Sequence, residues 1–289
     1  MKIIGSCKKI NPLLPLYVIV GLLAVAIPLR TYQFLFITEA DTGFYKTIDW
    51  SVYVIYGLSA VAMLISYVFV NLAKNVPASN DEIRKKSPVL AVASVAFALG
   101  VAIDSVKSFV SILVGQVAQE NMIAIWVEAI FGIFAAIYIL IFGVSHFDGK
   151  TTYSQHKFLA LAPLFWASGR IIIRIMKKIA YVNIADLMLE IALLGFMMMF
   201  FLSFARISTG LSTEKSMRSL FASGYVCLFF CALANIPRLV LMLTGNGALL
   251  AAEYPVAVGD LFFAIFVAAY IVNAMKKATV NDHSEIYSE

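Results

Sequence analysis

The sequence predicts an all-α, polytopic membrane bundle: eight transmembrane helices arranged as four parallel helical-hairpin repeats. Three observations carry this reading. The 289-residue chain is 62% hydrophobic and only 13% charged, with a mean hydropathy of +0.89, more apolar than a soluble domain of this size needs. Eight long apolar segments lie at 12–38, 50–73, 88–115, 121–145, 157–179, 183–205, 217–243 and 255–275. Basic residues recur at matching places in the odd-numbered segments and acidic residues in the even-numbered ones.

Each segment has about the ~20 residues a spanning helix requires. The runs lack two-residue alternation, so helices are expected and not a barrel, because backbone groups in lipid must be paired internally. The connections are too short for a separate soluble domain. Residues 1–289 therefore read as a single integral membrane domain, ending in a short polar tail at 278–289. The first segment is too long for a signal peptide and no small-residue cleavage pattern follows it, so it reads as a retained helix. Cys7 follows Ile-Gly-Ser, but the apolar stretch that precedes a lipoprotein cleavage box is missing.

The flanks set the expected topology. Basic residues gather before the first segment (Lys2, Lys8, Lys9) and in the second (Lys74, Arg84, Lys85, Lys86), fourth (Lys150, Lys157) and sixth (Arg206, Lys215, Arg218) connections. Lys276 and Lys277 follow the last segment. The alternate connections carry Glu39, Asp41, Glu120 and Glu253. Both termini are expected on the cytoplasmic side of the cell membrane; Lys177 and Lys178, in the fifth connection, break the pattern. The formal net charge of +5 mostly reflects these anchors. It does not point to nucleic acid, since the basic residues lie in membrane flanks and not on one soluble face.

Within the segments, Lys107 is followed after 21 residues by Glu128, Arg170 after 20 by Glu190, and Arg238 after 22 by Asp260. Arg30 holds the equivalent place in the first segment, and its partner position, near Tyr53, is not acidic. Local echoes support the register: Ala26-Ile27-Pro28-Leu29-Arg30 resembles Ala234-Asn235-Ile236-Pro237-Arg238, and Asp104 precedes Lys107 as Asn235 precedes Arg238. Each unit holds two spans, so all units share one orientation. Two four-helix halves, 12–145 and 157–277, are the alternative grouping. Inverted repeats would need an odd number of spans. Paired residues are nearly equidistant from their turn, and at ~1.5 Å rise per residue this sets them between the outer boundary and the midplane. The third hairpin offers two rungs. Arg170 and Arg174 share one helix face, Asp186 and Glu190 another. Equal distance from the turn matches Arg174 with Asp186 and Arg170 with Glu190.

Ionisable residues in hydrocarbon cost several kcal/mol unless paired or hydrated, and so are functional candidates. Pro28, Gly169 and Pro237 stand beside Arg30, Arg170 and Arg238. A proline frees a backbone carbonyl that protein or water must cover. Broken backbone beside charge fits a hydrated cavity; a packing kink is the plain alternative. Trp166, one turn before Arg170, is a candidate lining residue, as are Tyr53 and Tyr56. Trp50 reads as an interfacial anchor. His146, His156 and His283 fall in flanks and read as solvated. Cys227 and Cys231 share a face of the seventh helix and read as small packing residues, without the further ligands a metal needs.

The expected function is that of a transporter, or a ligand-binding membrane subunit. Arg30, Arg170, Arg174 and Arg238, with Trp166, would line an outward-facing cavity for a small anionic or zwitterionic solute or a lipid headgroup. Lys107, Glu128, Asp186, Glu190 and Asp260 are the charge-pair partners. The unpaired Arg30 is the place where an anionic ligand would substitute for the missing carboxylate. Two alternatives remain open: a sensor or assembly subunit whose charge pairs are structural, and an enzyme acting on lipid-linked phosphate. No His-Glu-x-x-His, Gly-x-Ser-x-Gly or nucleotide-binding loop is present, so no cofactor is expected, and any nucleotide-driven work would come from a separate partner subunit.

Overall fold

The chain is described from a computed structural model, covering residues 13–39, 45–47, 49–73, 86–114, 122–176, 184–211, 213–250 and 257–286. Eight helices follow in order: α1 (Leu14–Tyr32), α2 (Trp50–Leu72), α3 (Pro88–Leu113), α4 (Met122–Asp148), α5 (Ala162–Met176), α6 (Ile184–Ser208), α7 (Glu214–Leu243) and α8 (Val258–Ile286). Each is long and apolar enough to cross a membrane, α5 when taken together with the 3-10 turn Leu159–Leu161 that leads into it. The protein is a multi-pass helical membrane protein. The segment from 278, read as a tail, carries helix as far as Ile286.

Local chemistry sets the helix ends. Pro88 opens α3, where a missing N–H is harmless, and the Ser87 hydroxyl accepts a bond from the Leu90 amide. Thr213 caps α7 by accepting from the Ser216 amide. The α1 helix widens into a π-helical turn over Gln33–Ile37, three residues after Arg30.

Helices of each hairpin are neighbours, α1 with α2, α3 with α4, α5 with α6 and α7 with α8. Further contacts join α4 to α5, α6 to α7 and α8 back to α3, which closes a ring of six helices, α3 to α8. The α1–α2 hairpin lies outside this ring and packs chiefly on α7. The four hairpins therefore do not occupy equivalent surroundings, and the repeat suggested by spacing is not carried by the packing. As the ring wall between α6 and α8 that also supports α1 and α2, α7 buries most of its length, including Cys227 and Cys231.

The ring is filled by aromatic side chains. Phe97 of α3 lies at their centre, with ring centroids 6.2 Å from Trp166 (α5), 6.3 Å from Phe201 (α6), and 5.3 and 5.4 Å from Phe263 and Phe266 (α8). Tyr138 and Phe142 of α4, with Phe204 and Tyr270, continue the stack. Offset and edge-on aromatic contacts of this kind add to apolar burial. His146, expected to be solvated, is buried here instead: α4 runs three residues past the expected end of its span, and the ring packs on Phe142 and Tyr153 with Nδ1 bonded to the Phe142 carbonyl. His156 is exposed as expected.

Candidate functional site

At the ends of α1, α3, α5 and α7, and the beginnings of α4, α6 and α8, the intramembrane charges gather into one layer. The helix ends prepare it. Asp186 and Asp260 stand in the first turns of α6 and α8, and Arg30 and Arg174 in the last turns of α1 and α5. In each case the side chain opposes the partial charge of its helix end. Pro237 lies inside α7 one residue before Arg238, and Asn235 beside it donates to the Cys231 carbonyl and accepts from the Ala257 amide. This bond ties the proline-bearing stretch of α7 to the start of α8, three residues before Asp260.

The pairing runs mainly between hairpins. Arg170 forms a bidentate bond to Asp260, at 2.6 and 3.0 Å, joining α5 to α8. Asp186 accepts from Arg30 at 2.6 Å and from Arg238 at 3.1 Å, joining α6 to α1 and α7. Arg174 meets Glu190 at 2.7 Å across the α5–α6 hairpin. The side chains of Arg30, Asp186 and Asp260 are each 3% exposed, so these are charges removed from solvent. Such pairs hold only when geometry and further hydrogen bonds offset the loss of hydration. Arg30 meets that condition: it also donates to Gln33 Oε1 and the Tyr45 hydroxyl, both at 2.7 Å, while Gln33 donates to Ser51 Oγ at 3.1 Å.

Several sequence expectations are corrected by this layer. Arg30 is not unpaired; Asp186 supplies its carboxylate from a distant hairpin. Neither proposed rung of the third hairpin forms as drawn, because Arg170 turns to α8 and Asp186 to α1 and α7. Asp260 belongs to Arg170, not to Arg238. Lys107 does not reach Glu128: its side chain is 72% exposed and its nearest carboxylate is Asp104, 3.9 Å away on its own helix. Glu128 accepts from Ser108 instead, at 3.3 Å. Tyr53 is 67% exposed on α2, whereas Tyr56, less exposed, lies within electrostatic reach of Arg30, Tyr45 and Asp186. Lys177 and Lys178 lie outside the described residues, as do Cys7 and the flanking Lys2, Lys8, Lys9, Lys74, Arg84 and Lys85. The common reason is that spacing from a turn fixes depth but not rotation. Each ring helix has two or more neighbours at that depth, and helix azimuth selects among them.

Trp166 is where spacing put it. Fully buried, it lies with its ring 5.0 Å from the Arg170 guanidinium carbon and forms part of an aromatic floor under the charges with Phe97, Phe201 and Phe263. Gly169 allows α5 to approach α4 here. A Cβ at that position would stand 2.9 Å from the Glu128 amide nitrogen.

The surroundings of Arg170 are uneven in charge. Besides Asp260, it lies within electrostatic reach of Glu128, Glu190 and Asp104. Two buried polar atoms beside it have no hydrogen-bond partner among the described residues: Glu190 Oε2, an acceptor, and Trp166 Nε1, a donor. Unpartnered buried groups are uncommon and carry a desolvation cost of about 1–3 kcal/mol each. Sequence reasoning missed Gln33, Tyr45, Ser51 and Ser108. Of these, Gln33 left a signal, a polar residue one turn beyond Arg30 inside an apolar run.

Among the described residues no group of three or more His, Cys, Asp or Glu is arranged to hold a metal. Comparisons with protein-family models, with curated proteins and with solved structures find no match for this chain.

Proposed function

We propose that this protein is a transporter, or a ligand-binding membrane subunit, of the cell membrane, and that the charge layer around Arg170 takes a small zwitterionic solute from the outer side. Both termini are then cytoplasmic. The observation that carries the reading is the pair of buried, unpartnered polar atoms beside Arg170. An ammonium group would donate to Glu190 Oε2 with Glu128 nearby, and a carboxylate or sulfonate would accept from Trp166 Nε1–H close to the guanidinium.

The charge balance favours a zwitterion over a plain anion. Arg30, Arg170, Arg174 and Arg238 share the carboxylates of Asp186, Glu190 and Asp260, Lys107 faces Asp104, and Glu128 accepts from Ser108; basic and acidic side chains in the layer therefore balance, leaving no net positive charge for an anion. An anion would have to displace Asp186, Glu190 or Asp260 from bonds of 2.6–3.1 Å. The aromatic floor would block passage beneath the ligand, as one side of an alternating-access cycle requires. A purely structural role for the pairs is the second reading, favoured by the bidentate Arg170–Asp260 bond and the 3% exposure of Asp260.

Thermal melting of the protein in lipid nanodiscs separates the two. Glycine, γ-aminobutyrate and taurine are compared with succinate, inorganic phosphate and choline. A ligand at one hundred times its Kd stabilises by about 2.7 kcal/mol. At least one zwitterion should raise the melting temperature, and Glu190→Gln should abolish that rise. If no zwitterion stabilises the protein, or if Glu190→Gln leaves the rise unchanged, the reading fails.

A further inference from the structure

At the opposite end of the bundle from the ion pairs, α2 and α6 both pack toward α7 and leave a groove between them. Its volume is about 380 Å³, within the ~300–1,000 Å³ usual for specific small-molecule sites. The walls are apolar, formed by Met63 and Tyr67 of α2, Phe196 and Met199 of α6, and Ala222 and Val226 of α7. Two basic residues, Lys215 and Arg218, stand at its mouth in the first turns of α7.

We propose that this groove binds one acyl chain of an anionic phospholipid, with the headgroup phosphate held by Lys215 and Arg218. The dimensions select this occupant. From Lys215 to Val226 the groove follows 11 residues of α7, about 16 Å at ~1.5 Å rise per residue, close to half of the ~30 Å hydrocarbon thickness. A chain from a single leaflet would lie along it with its headgroup level with the last turn of α2. Both chemistries match: apolar walls where the chain runs, positive charge where the phosphate sits.

Arg218 is held for this task. It donates to the Val70 and Asn71 carbonyls at 2.6 and 2.9 Å, and to Glu214 at 2.8 and 3.0 Å. These bonds cover the open carbonyls at the end of α2 and fix the guanidinium at the groove mouth. Glu214 offsets one positive charge, and Lys215 leaves a local excess of one. Lys215 is exposed and forms no ion pair among the described residues, so its charge is available to a phosphate. The bound lipid would fasten the α1–α2 hairpin, which lies outside the ring, to α6 at the end away from the Arg30–Asp186 bond.

The test uses the whole protein, delipidated in a neutral detergent. Melting is followed on adding dioleoyl phosphatidylglycerol, dioleoyl phosphatidylcholine or inorganic phosphate. Phosphatidylglycerol should stabilise at about fivefold lower concentration than phosphatidylcholine, and inorganic phosphate should have no effect. The fivefold factor corresponds to ~1 kcal/mol for one basic residue at an anionic headgroup. Lys215→Ala, a change at an exposed position, should remove the difference between the lipids. Ala222→Phe should remove the response to both, and Met199→Trp, at a half-exposed position, serves if Ala222→Phe does not fold. Equal response to the two lipids, stabilisation by inorganic phosphate, or an unchanged response in the groove-filling variants would overturn the proposal. So would formation of a dimer on delipidation that makes the protein insensitive to lipid, since a second copy would then be the occupant.

Discussion

The two halves of this bundle are buried to a similar degree but held by different physics. Beneath Trp166, the ring is filled by Phe97, Phe142, Phe200, Phe201, Phe204, Phe263, Phe266 and Tyr270, each at most 2% exposed. Above it, Arg30, Asp186, Arg238 and Asp260 are each at most 5% exposed. Aromatic contacts are broad in geometry, so several neighbours share each ring. An ion pair is not: it needs one partner at one depth and one rotation, and removing that partner leaves a charge without hydration. The aromatic half therefore fills space, while the charged half decides which helices meet. Asp186 alone joins α1, α6 and α7.

Substitutions can break this contrast. The largest effect is expected from Asp186→Asn, which leaves Arg30 and Arg238 without their carboxylate. Breaking a buried pair costs about 3–5 kcal/mol, and here two arginines share the loss. The variant should melt well below the parent, and the α1–α2 hairpin should become cleavable by protease before the ring unfolds. Uniform unfolding with no early cleavage would mean that the hairpin is held by apolar packing instead.

In the aromatic half, Phe97→Ala should also destabilise by about 3–5 kcal/mol. Its unfolding should remain a single transition, because a cavity at the ring centre loosens all six helices together. Loss of solute response at temperatures where the variant is fully folded would show that the floor also shapes the site. The smallest effects belong to Lys107→Ala and Tyr53→Ala, at positions 72% and 67% exposed. Each should stay within about 0.5 kcal/mol of the parent in melting experiments. A large loss at Lys107 would restore it as a partner of Glu128.

The sequence reveals the apolar half and the depth of the charges more fully than their connections. The span at 50–73 is found as Trp50–Leu72, and that at 88–115 as Pro88–Leu113. Runs of apolar residues report helix length directly, since hydrocarbon thickness imposes it. Trp166 beneath Arg170 follows from four-residue spacing on one helix. The Arg170–Asp260 and Arg30–Asp186 bonds span 90 and 156 residues of chain, and no local periodicity carries that information. Tyr45 lies outside the helices, held beside the end of α1 by a single bridge to Thr38, where spacing on a helix says nothing. His146 departs from the expected solvated flank for a simpler reason: α4 continues to Asp148, so the residue belongs to the packed helix.

We propose that the Arg170 layer serves a ligand and not only the fold. The most direct test replaces Arg170 and Asp260 together, Arg170→Met with Asp260→Leu, and measures melting with and without the stabilising zwitterion. Apolar residues of similar volume often replace a buried ion pair neutrally or with a gain of about 1–4 kcal/mol. The double variant should be folded, as stable as the parent or more so, and should no longer respond to solute. A folded double variant with the parent's full solute response would contradict it and leave the pair as a structural joint between α5 and α8.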